Sequence, residues 1–543
     1  MTFALALRYL ACCAAVGLAV FRPSFGEAFF QKVESLLRRA ASHRRATWIG
    51  CGLLVLTVRL VLLPLWPVPK PVIYDEFGYI LGADTFARGR LTNPLHPLAD
   101  FFESPYVLMR PTYASKYPPA QSAVLALGEA AVGDPWFGVW LSCGVMMAAL
   151  VWALEGWMPP GWALLGGFLA MPLAIDSYWM NSYWGGAVAA TGGALVLGGY
   201  ARVVQRKQIW YAVAMGIGLA ILGNSRPFEG LIFAVPVAVA LVWPRPRWRA
   251  LGMIAAVLVP ALIATGFYNR AVTGSAMQLP FMEYAREYAQ IPLFNFQPLQ
   301  GVKTYSNAAM ADLHRNWEVA QWEKARSWQL FALRFQDWKT VSATLLGSAL
   351  TGLLVVLFMR SLWRDRRIRL PLICVLIAVA GSFIEICYYQ HYAGPVTVAL
   401  LIVAVQALRY LREWNPGGRS AGRFLSRAVP VLVLGAAVAS QGMLMIRQEP
   451  IEKSQPKNAQ RDRVAASLLS DQVSQHVVLI RYTGHQSPHE EWVYNGADID
   501  GQDVIWAHDL GAERNAEIIR YYKDRKIWLL EPDIPGSHAV PYP

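Results

Sequence analysis

The sequence is poor in charged residues. Only 16% of its 543 residues are Asp, Glu, Lys or Arg, whereas a soluble domain usually carries about 25%. Apolar residues make up 55% of the chain. They gather into blocks of roughly 15–20 residues, and a helix of about 20 apolar residues spans a bilayer with every backbone group bonded internally. The shortage of charge therefore excludes a soluble globular protein and predicts a multi-pass helical membrane protein.

Cysteine is scarce, and several sequence motifs are missing. None of the six cysteines has the spacing of metal ligands, and their positions in apolar blocks indicate packing residues: Cys12, Cys13, Cys51, Cys143, Cys374 and Cys387. No P-loop, G-x-G-x-x-G, H-E-x-x-H or G-x-S-x-G motif occurs in the context that its chemistry requires. These absences argue against ATP-driven transport and classical hydrolysis.

Positive charge is present in excess, with a formal net charge of +13 and an isoelectric point near 9.4. The basic residues sit in short connections between apolar blocks, as the positive-inside bias of membrane proteins requires. The charge therefore indicates topology and contact with membrane lipid, and no nucleic-acid partner. The connections predicted to be cytoplasmic are 31–46, 202–207, 245–249, 360–369 and 409–423.

The alternation of apolar blocks and basic connections predicts about twelve transmembrane helices. Residues 1–21 are interpreted as an uncleaved first helix, because a basic stretch follows and no clean cleavage site is evident. The block 118–133 is short and opens with two prolines. The basic connections all lie on one side of the membrane only if this block does not cross it. The block is therefore interpreted as a helix on the membrane surface or a re-entrant helix. The external side then receives the loops 67–135 and 268–340.

The last hundred residues change in composition. The predicted fold class is an α-helical polytopic membrane protein, residues 1–446, with a small C-terminal α/β domain, residues 447–543, on the external side. His485 and His489 could share a metal only on a helix, and the surrounding Gly and Pro favour a loop. The domain's predicted elements are strands 476–482, 503–510 and 526–532, with a helix at 511–522.

The stretch "VIYDEFGYI", residues 72–80, places Asp75 and Glu76 directly after an apolar block. Two adjacent like charges raise one pKa and can prepare a general base. The same pair could hold a divalent cation, Mg²⁺ or Mn²⁺, through its oxygen atoms. An ordinary solvated loop is the alternative, and the helix exit with its aromatic neighbours favours a function.

Cations recur on the predicted external side. Arg110 and Lys116 lie in "RPTYASKYPPAQS", where they could bind a phosphate or neutralise lipid headgroups. Arg226 and Glu229 lie three residues apart in "GNSRPFEG". They are candidates for substrate binding, and a structural salt bridge is an equal competitor.

Further candidates for substrate contact lie at helix ends. Asn181 and Tyr183 belong to "NSYWGG", which is either an interfacial aromatic belt or a surface for sugar rings. His391 and Tyr392 occur in "EICYYQHYAGP" as candidate phosphate or acceptor contacts, although a lone His is more often structural. Arg270 opens the loop 268–340 and is a candidate for the lining of a cavity.

"YDEFGYILGADTFARGRL" and the following "SKYPPAQSAVLALG" resemble the first external loop of type C glycosyltransferases. The branch is glycosyltransferase family 39-like, which includes protein O-mannosyltransferases and the lipid A aminoarabinose transferase. The resemblance is clearest over residues 47–270, extends more loosely to 410, and says little of the tail.

The resemblance implies roles for individual residues. Asp75 matches the family's proposed catalytic base, and Glu76 matches its acidic neighbour. The segment "KYPP", 116–119, falls where the mannosyltransferases carry His-Pro-Pro, so Tyr117 stands in place of the His. Family members differ over a divalent metal, which leaves the cation open here.

The implied activity is transfer of a sugar from a polyprenyl-phosphate carrier to an acceptor, with inversion at the anomeric carbon. The acceptor would be a glycan, a lipid or a protein, and the implied location is the periplasmic face of a bacterial inner membrane. Two rivals stay open at this point. A transporter of lipid-linked sugars would tolerate loss of Asp75, and a membrane scaffold would leave the acidic motif unexplained.

Overall fold

The chain folds mainly into helices in a computed structural model that describes residues 2–346, 349–418, 420–447, 456–470, 475–484 and 491–543. His485 and His489 lie outside these residues. The helices are α1 (Thr2–Phe21), α2 (Glu27–Ala40), α3 (Arg44–Val61), α4 (Tyr74–Ala87), α5 (Pro119–Val132), α6 (Trp136–Trp157), α7 (Pro160–Ile175), α8 (Ala187–Gln205), α9 (Ala212–Gly223), α10 (Pro227–Val242), α11 (Trp248–Thr273), α12 (Pro280–Glu287), α13 (Ala308–Ala311), α14 (Glu318–Ala325), α15 (Gln329–Leu345), α16 (Ala349–Leu357), α17 (Met359–Arg364), α18 (Arg369–Ser382), α19 (Thr397–Glu413), α20 (Ala421–Arg447), α21 (Pro456–Leu469) and α22 (Ala512–Tyr521).

Several helices are apolar enough to cross a membrane. In the described part of the chain, four meet the criterion by length and composition: α6, α8, α11 and residues Ala421–Ala439 of α20. Five shorter apolar helices accompany them: Leu10–Phe21, Pro160–Ile175, Ile209–Gly223, Pro227–Val242 and Arg369–Ser382. The helical membrane fold is therefore supported, and the count of twelve spans stays a prediction.

Helix α18 ends before the apolar block 369–388 does. Helix α18 stops at Ser382, and Arg334 of α15 occupies the carbonyls that follow. Its Nε donates to Ser382 O at 2.7 Å, and its Nη2 donates to Glu385 O at 2.6 Å. Carbonyls at a helix end need such partners, so a side chain 48 residues away in sequence stabilises the irregular segment that follows α18.

The first external loop contains a helix, α4, that the sequence analysis treated as loop. Helix α5 packs closely against it: a Cβ at Gly82 would lie 2.5 Å from the Ser122 hydroxyl. Glycine is required there because the two backbones approach so closely. Helix α5 is 14 residues long, which gives about 21 Å, less than the roughly 30 Å hydrocarbon core.

The amphipathic helix α2 is bound to the bundle by ion pairs. Glu34 accepts two hydrogen bonds from Arg412, at 2.8 and 3.0 Å, and one from Arg427 at 2.8 Å. Glu27 accepts a further bond from Arg427 at 2.6 Å. The basic connections 31–46 and 409–423 therefore lie at the same end of the bundle, as the charge pattern predicted.

The tail forms a small sheet of four strands in the order β4-β3-β5-β6, with β3, β4 and β5 parallel. Its central strands and α22 lie within two residues of their predicted bounds, although the division at 446–447 stays a prediction. The separate two-stranded ladder of β1 and β2 lies in the first external loop. The strands are β1 (Val107–Leu108), β2 (Ala114–Ser115), β3 (His476–Ile480), β4 (Val504–His508), β5 (Lys526–Leu530) and β6 (Val540–Pro541).

The tail packs on the first external loop. Phe77 of α4 stacks on Tyr494, with ring centroids 4.1 Å apart and ring planes 5° apart. Asp84 accepts a hydrogen bond from the Ala497 backbone at 2.7 Å, and the Tyr113 hydroxyl donates to Asn495 O at 2.9 Å. Helix α4 therefore lies between the bundle and the C-terminal unit.

Candidate active site

Asp75 lies in the first turn of α4 beside a tyrosine of the "KYPP" segment. The hydroxyl of Tyr117 donates to Asp75 Oδ1, and the Tyr117 ring stacks on Tyr79 at 4.2 Å. Burial raises the pKa of Asp75, while Lys116, the Tyr117 hydrogen bond and Arg226 oppose that rise. A carboxylate with a raised pKa and a neighbouring hydrogen-bond donor suits proton abstraction near neutral pH.

Glu76 has different contacts from its neighbour. Its Oε2 accepts from the backbone N–H of Val72 at 2.6 Å and of Ile73 at 3.2 Å. Its Oε1 accepts from the backbone N–H of Tyr183 at 3.0 Å. These contacts cap α4 and join it to the segment before α8. They favour a structural role for Glu76 over the predicted catalytic one.

Lys116 lies in a cage of aromatic rings. Its Nζ is 3.0 Å from the ring centroid of Tyr106 and 4.9 Å from that of Tyr284, with Phe281 and Tyr117 both at 5.2 Å. Among the described residues, this ammonium has no hydrogen bond and no ion pair. Burial lowers the pKa of Lys116 to about 7, against the attraction of Asp75 and Glu318.

Arg226 approaches the same carboxylate from the start of α10. Its guanidinium carbon lies 4.4 Å from the ring centroid of Tyr392, and its closest acid is Glu229, at 3.8 Å. In the described ranges, the guanidinium makes no hydrogen bond. Most of the five N–H donors of Arg226 therefore have no acceptor in the described part of the chain, and its charge lowers the pKa of Asp75.

His391 joins this cluster through an aromatic contact. Its Nδ1 lies 2.8 Å from the Tyr178 hydroxyl, and its ring lies 4.6 Å from the Trp184 ring. Burial and the Arg226 charge hold the pKa of His391 well below its usual value. The imidazole is therefore neutral, which restricts the predicted phosphate contact to a hydrogen bond.

An aromatic cavity of about 410 Å³ opens next to His391. Its walls include Tyr178, Trp184, Tyr388 and Tyr389, with Asp337 of α15 as its acidic residue. The Asp75 carboxylate contributes to the raised pKa of Tyr389, which places this cavity close to the Asp75 cluster. Rings of this kind suit an isoprenoid chain or the apolar face of a sugar.

Four predicted residues do not join the cluster by their side chains. Arg110 pairs with Asp100 at 2.7 Å on the surface, and Arg270 is exposed. The Asn181 amide donates to two carbonyls of its own turn, and the Tyr183 hydroxyl donates to Pro69 O at 2.9 Å. These contacts are structural or solvent-facing.

The sequence analysis missed a buried network in the loop 268–340. Tyr106 donates to Glu318 Oε1 at 3.1 Å, and His314 donates to Glu318 Oε2 at 2.8 Å. His314 Nε2 lies 2.9 Å from the Tyr284 hydroxyl. This part of the loop thus buries a polar face, and the four-residue spacing of His314 and Glu318 was its signal.

The contacts of the acidic pair do not fit a shared divalent cation. Both Glu76 oxygens accept backbone N–H groups, and Asp75 Oδ1 accepts the Tyr117 hydroxyl. Within the described ranges, no group of three or more His, Cys, Asp or Glu side chains lies together. The predicted Mg²⁺ or Mn²⁺ stays a prediction, and the chemistry below uses side chains alone.

Comparison with known proteins yields similarity at the level of structure. No protein-family model matches the sequence, and no curated protein matches it. The chain is similar in structure to ArnT from Cupriavidus metallidurans bound to undecaprenyl phosphate, with 14% sequence identity and a TM-score of 0.48. The match covers 89% of this chain and 92% of that one. At this identity, it assigns no residue role here.

Proposed function

We propose that the protein is a membrane glycosyltransferase that moves a sugar from a polyprenyl-phosphate carrier to an acceptor on the periplasmic face of a bacterial inner membrane. The observation that carries this proposal is the grouping of Asp75, Lys116 and Arg226. A buried ammonium, Lys116, and a half-buried guanidinium, Arg226, have no hydrogen-bond partner among the described residues, and both charges act on the half-buried Asp75 carboxylate. Burial of N–H donors without acceptors costs free energy unless a bound ligand accepts hydrogen bonds from them.

The donor phosphate is assigned to the two cations. A polyprenyl phosphate that leaves as an anion needs charge-assisted hydrogen bonds, and Lys116 with Arg226 can supply them. The aromatic cavity beside His391 would hold the sugar or the first isoprene units. The carrier lipid reaches this position from the bilayer, so no nucleotide site is required.

Asp75 is assigned as the base. The acceptor's oxygen or nitrogen attacks the anomeric carbon opposite the phosphate, and its proton passes to Asp75 as the new bond forms. The bond between the anomeric carbon and the phosphate oxygen breaks, and the electron pair leaves with the phosphate. The Tyr117 hydroxyl orients the carboxylate, and Glu76 holds the helix that carries it.

The direct test is Asp75→Asn in purified protein, assayed with undecaprenyl-phosphate sugars labelled in the sugar. The asparagine Oδ1 can still accept the Tyr117 hydrogen bond, so the fold is retained. We expect transfer to fall about 10³-fold, the usual scale for loss of a general base. Asp100→Asn is the matched control in the same loop, because Asp100 pairs only with surface arginines, and it should retain transfer.

Two outcomes would contradict the proposal. Equal transfer by Asp75→Asn and the wild type would remove Asp75 from the chemistry. Flipping of the labelled lipid across vesicles by both proteins, with sugar transfer by neither, would replace the transferase by a transporter.

A further inference from the structure

The cage around Lys116 is connected to a buried carboxylate in a distant loop. Tyr106, whose ring lies directly under the ammonium, donates its hydroxyl hydrogen to Glu318. Glu318 accepts a second hydrogen bond from His314, and His314 lies against the Tyr284 hydroxyl. Tyr284 also accepts the Tyr106 backbone N–H at 2.9 Å. The network therefore links two rings of the cage, Tyr106 and Tyr284, to Glu318 and His314.

The local helix geometry at this position is unusual. Residues Asp312–Trp317 form a π-helical turn between α13 and α14. Such turns are rare and often occur at functional sites. Here the turn buries His314 completely and brings it to Glu318, which is 6% exposed. A solvent-facing loop does not require this arrangement.

Glu318 stays ionised in the buried site. Burial opposes its charge, but His314 and Lys116, with the two hydrogen bonds, lower the pKa of Glu318 below its usual value. Both of its oxygens are occupied, so it binds no substrate. Its negative charge raises the pKa of Lys116 against the effect of burial.

Lys116 is faced by groups from several elements. These are the carboxylates Asp75 and Glu318, the cation Arg226, and the phenols Tyr106, Tyr117 and Tyr284. Asp75 takes up a proton in the proposed reaction, so its charge is lost during each turnover. Glu318 is the carboxylate of this set whose charge persists. A phenol that donates to a carboxylate also has a more electron-rich ring, which strengthens its attraction for a cation.

We propose that Glu318, held by His314, is a positioning residue that keeps the Lys116 ammonium charged and seated on the Tyr106 ring, facing the phosphate of the lipid donor. The proposal rests on the proposed function, because that function assigns the phosphate to Lys116. Glu318 itself touches no substrate.

The test is Glu318→Gln, with Glu323→Gln as the matched control on the exposed face of the same helix. Reductive methylation of Lys116 by formaldehyde, followed by mass spectrometry across pH, measures the fraction of free amine. We expect the midpoint for Glu318→Gln to fall by about one pH unit, a tenfold change in that fraction. The Glu323→Gln midpoint should equal that of the wild type.

A second variant tests the inference even if Glu318→Gln fails to fold. Tyr106→Phe keeps the ring and removes its bond to Glu318, so its midpoint should fall in the same direction by a smaller amount. Unchanged midpoints in both variants would overturn the inference.

The methylation readout is independent of enzyme activity. Undecaprenyl phosphate should protect wild-type Lys116 from labelling, and protection should weaken at least tenfold in Glu318→Gln at pH 7. Absence of protection in the wild type would overturn the proposed function together with the phosphate part of this inference. Protection in the wild type with an unchanged midpoint in the variants would overturn the inference alone.

Discussion

Helix α3 joins two regions that both contain buried or half-buried charges but use them differently. Before its start, Glu27 and Glu34 of α2 accept hydrogen bonds from Arg427 and Arg412 at 2.6–3.0 Å. Beyond its end, Lys116 and Arg226 have no hydrogen-bond partner among the described residues. The paired charges fix the position of α2 in the fold, whereas Lys116 has no ion pair among the described residues and Arg226 has only the longer contact to Glu229 at 3.8 Å. On the proposed function, the difference separates structural charges from charges that bind the substrate.

The largest expected effect comes from removing an unpaired cation. Lys116→Met should lower kcat/KM for the lipid donor by about 10²–10³-fold, because a buried charge that meets a phosphate contributes about 3–4 kcal/mol. The melting temperature should stay the same or rise, since no hydrogen bond is lost. Transfer assays and thermal unfolding in detergent measure the two effects. A fall in melting temperature with unchanged kcat/KM would place Lys116 among the structural charges.

A paired cation should behave in the opposite way. Arg427→Met removes hydrogen bonds to both Glu27 and Glu34 and leaves Glu27 with a longer contact to Arg423 at 3.9 Å, so the free energy of unfolding should fall by about 2 kcal/mol. Transfer per folded molecule should be unchanged. Denaturant unfolding combined with active-site-normalised assays checks this expectation, and lost activity in the folded fraction would contradict it.

The smallest effect is a change in pH dependence. Transfer needs ionised Asp75 and protonated Lys116, so kcat/KM should rise with pH through the Asp75 pKa and fall above the Lys116 pKa of about 7. Lys116→Arg should move the falling limb to higher pH, because arginine keeps its charge. The wild-type kcat/KM should fall about 15-fold between pH 7 and pH 8.5. A falling limb that stays near pH 7 in Lys116→Arg would assign it to another group.

Local pattern predicted much of the fold. The apolar blocks predicted most helices, and short apolar runs predicted the three central strands of the tail within two residues. The early end of α18 was not predictable, because it depends on Arg334 reaching carbonyls far along the chain. Helix α4 was missed because its cap is the Glu76 carboxylate with Ile73 at the N-cap, which is not a recognised start signal.

The site was predicted in part. Asp75, Lys116, Tyr117, Arg226 and His391 were named from residue type and side of the membrane, and the fold brings them together. Their roles as catalyst and ligands stay predictions. Sequence spacing could not separate Arg110, which pairs on the surface, from Lys116, because the two differ only in where their side chains point.

Partners from distant parts of the chain were beyond sequence reasoning. Glu318 reaches Tyr106 across 212 residues, and no local pattern encodes such a contact. The four-residue helical spacing of His314 and Glu318 was the available signal in the sequence.

The bond between Asp84 and the Ala497 backbone joins positions 413 residues apart. A ribosome adds about 5–20 residues per second. The C-terminal segment that packs on α4 is therefore synthesised roughly 20–80 s after α4 itself. A chain released early would still insert its apolar helices, yet would leave Phe77 without its stacking partner. The packing of the C-terminal unit on α4 is thus completed only near the end of translation.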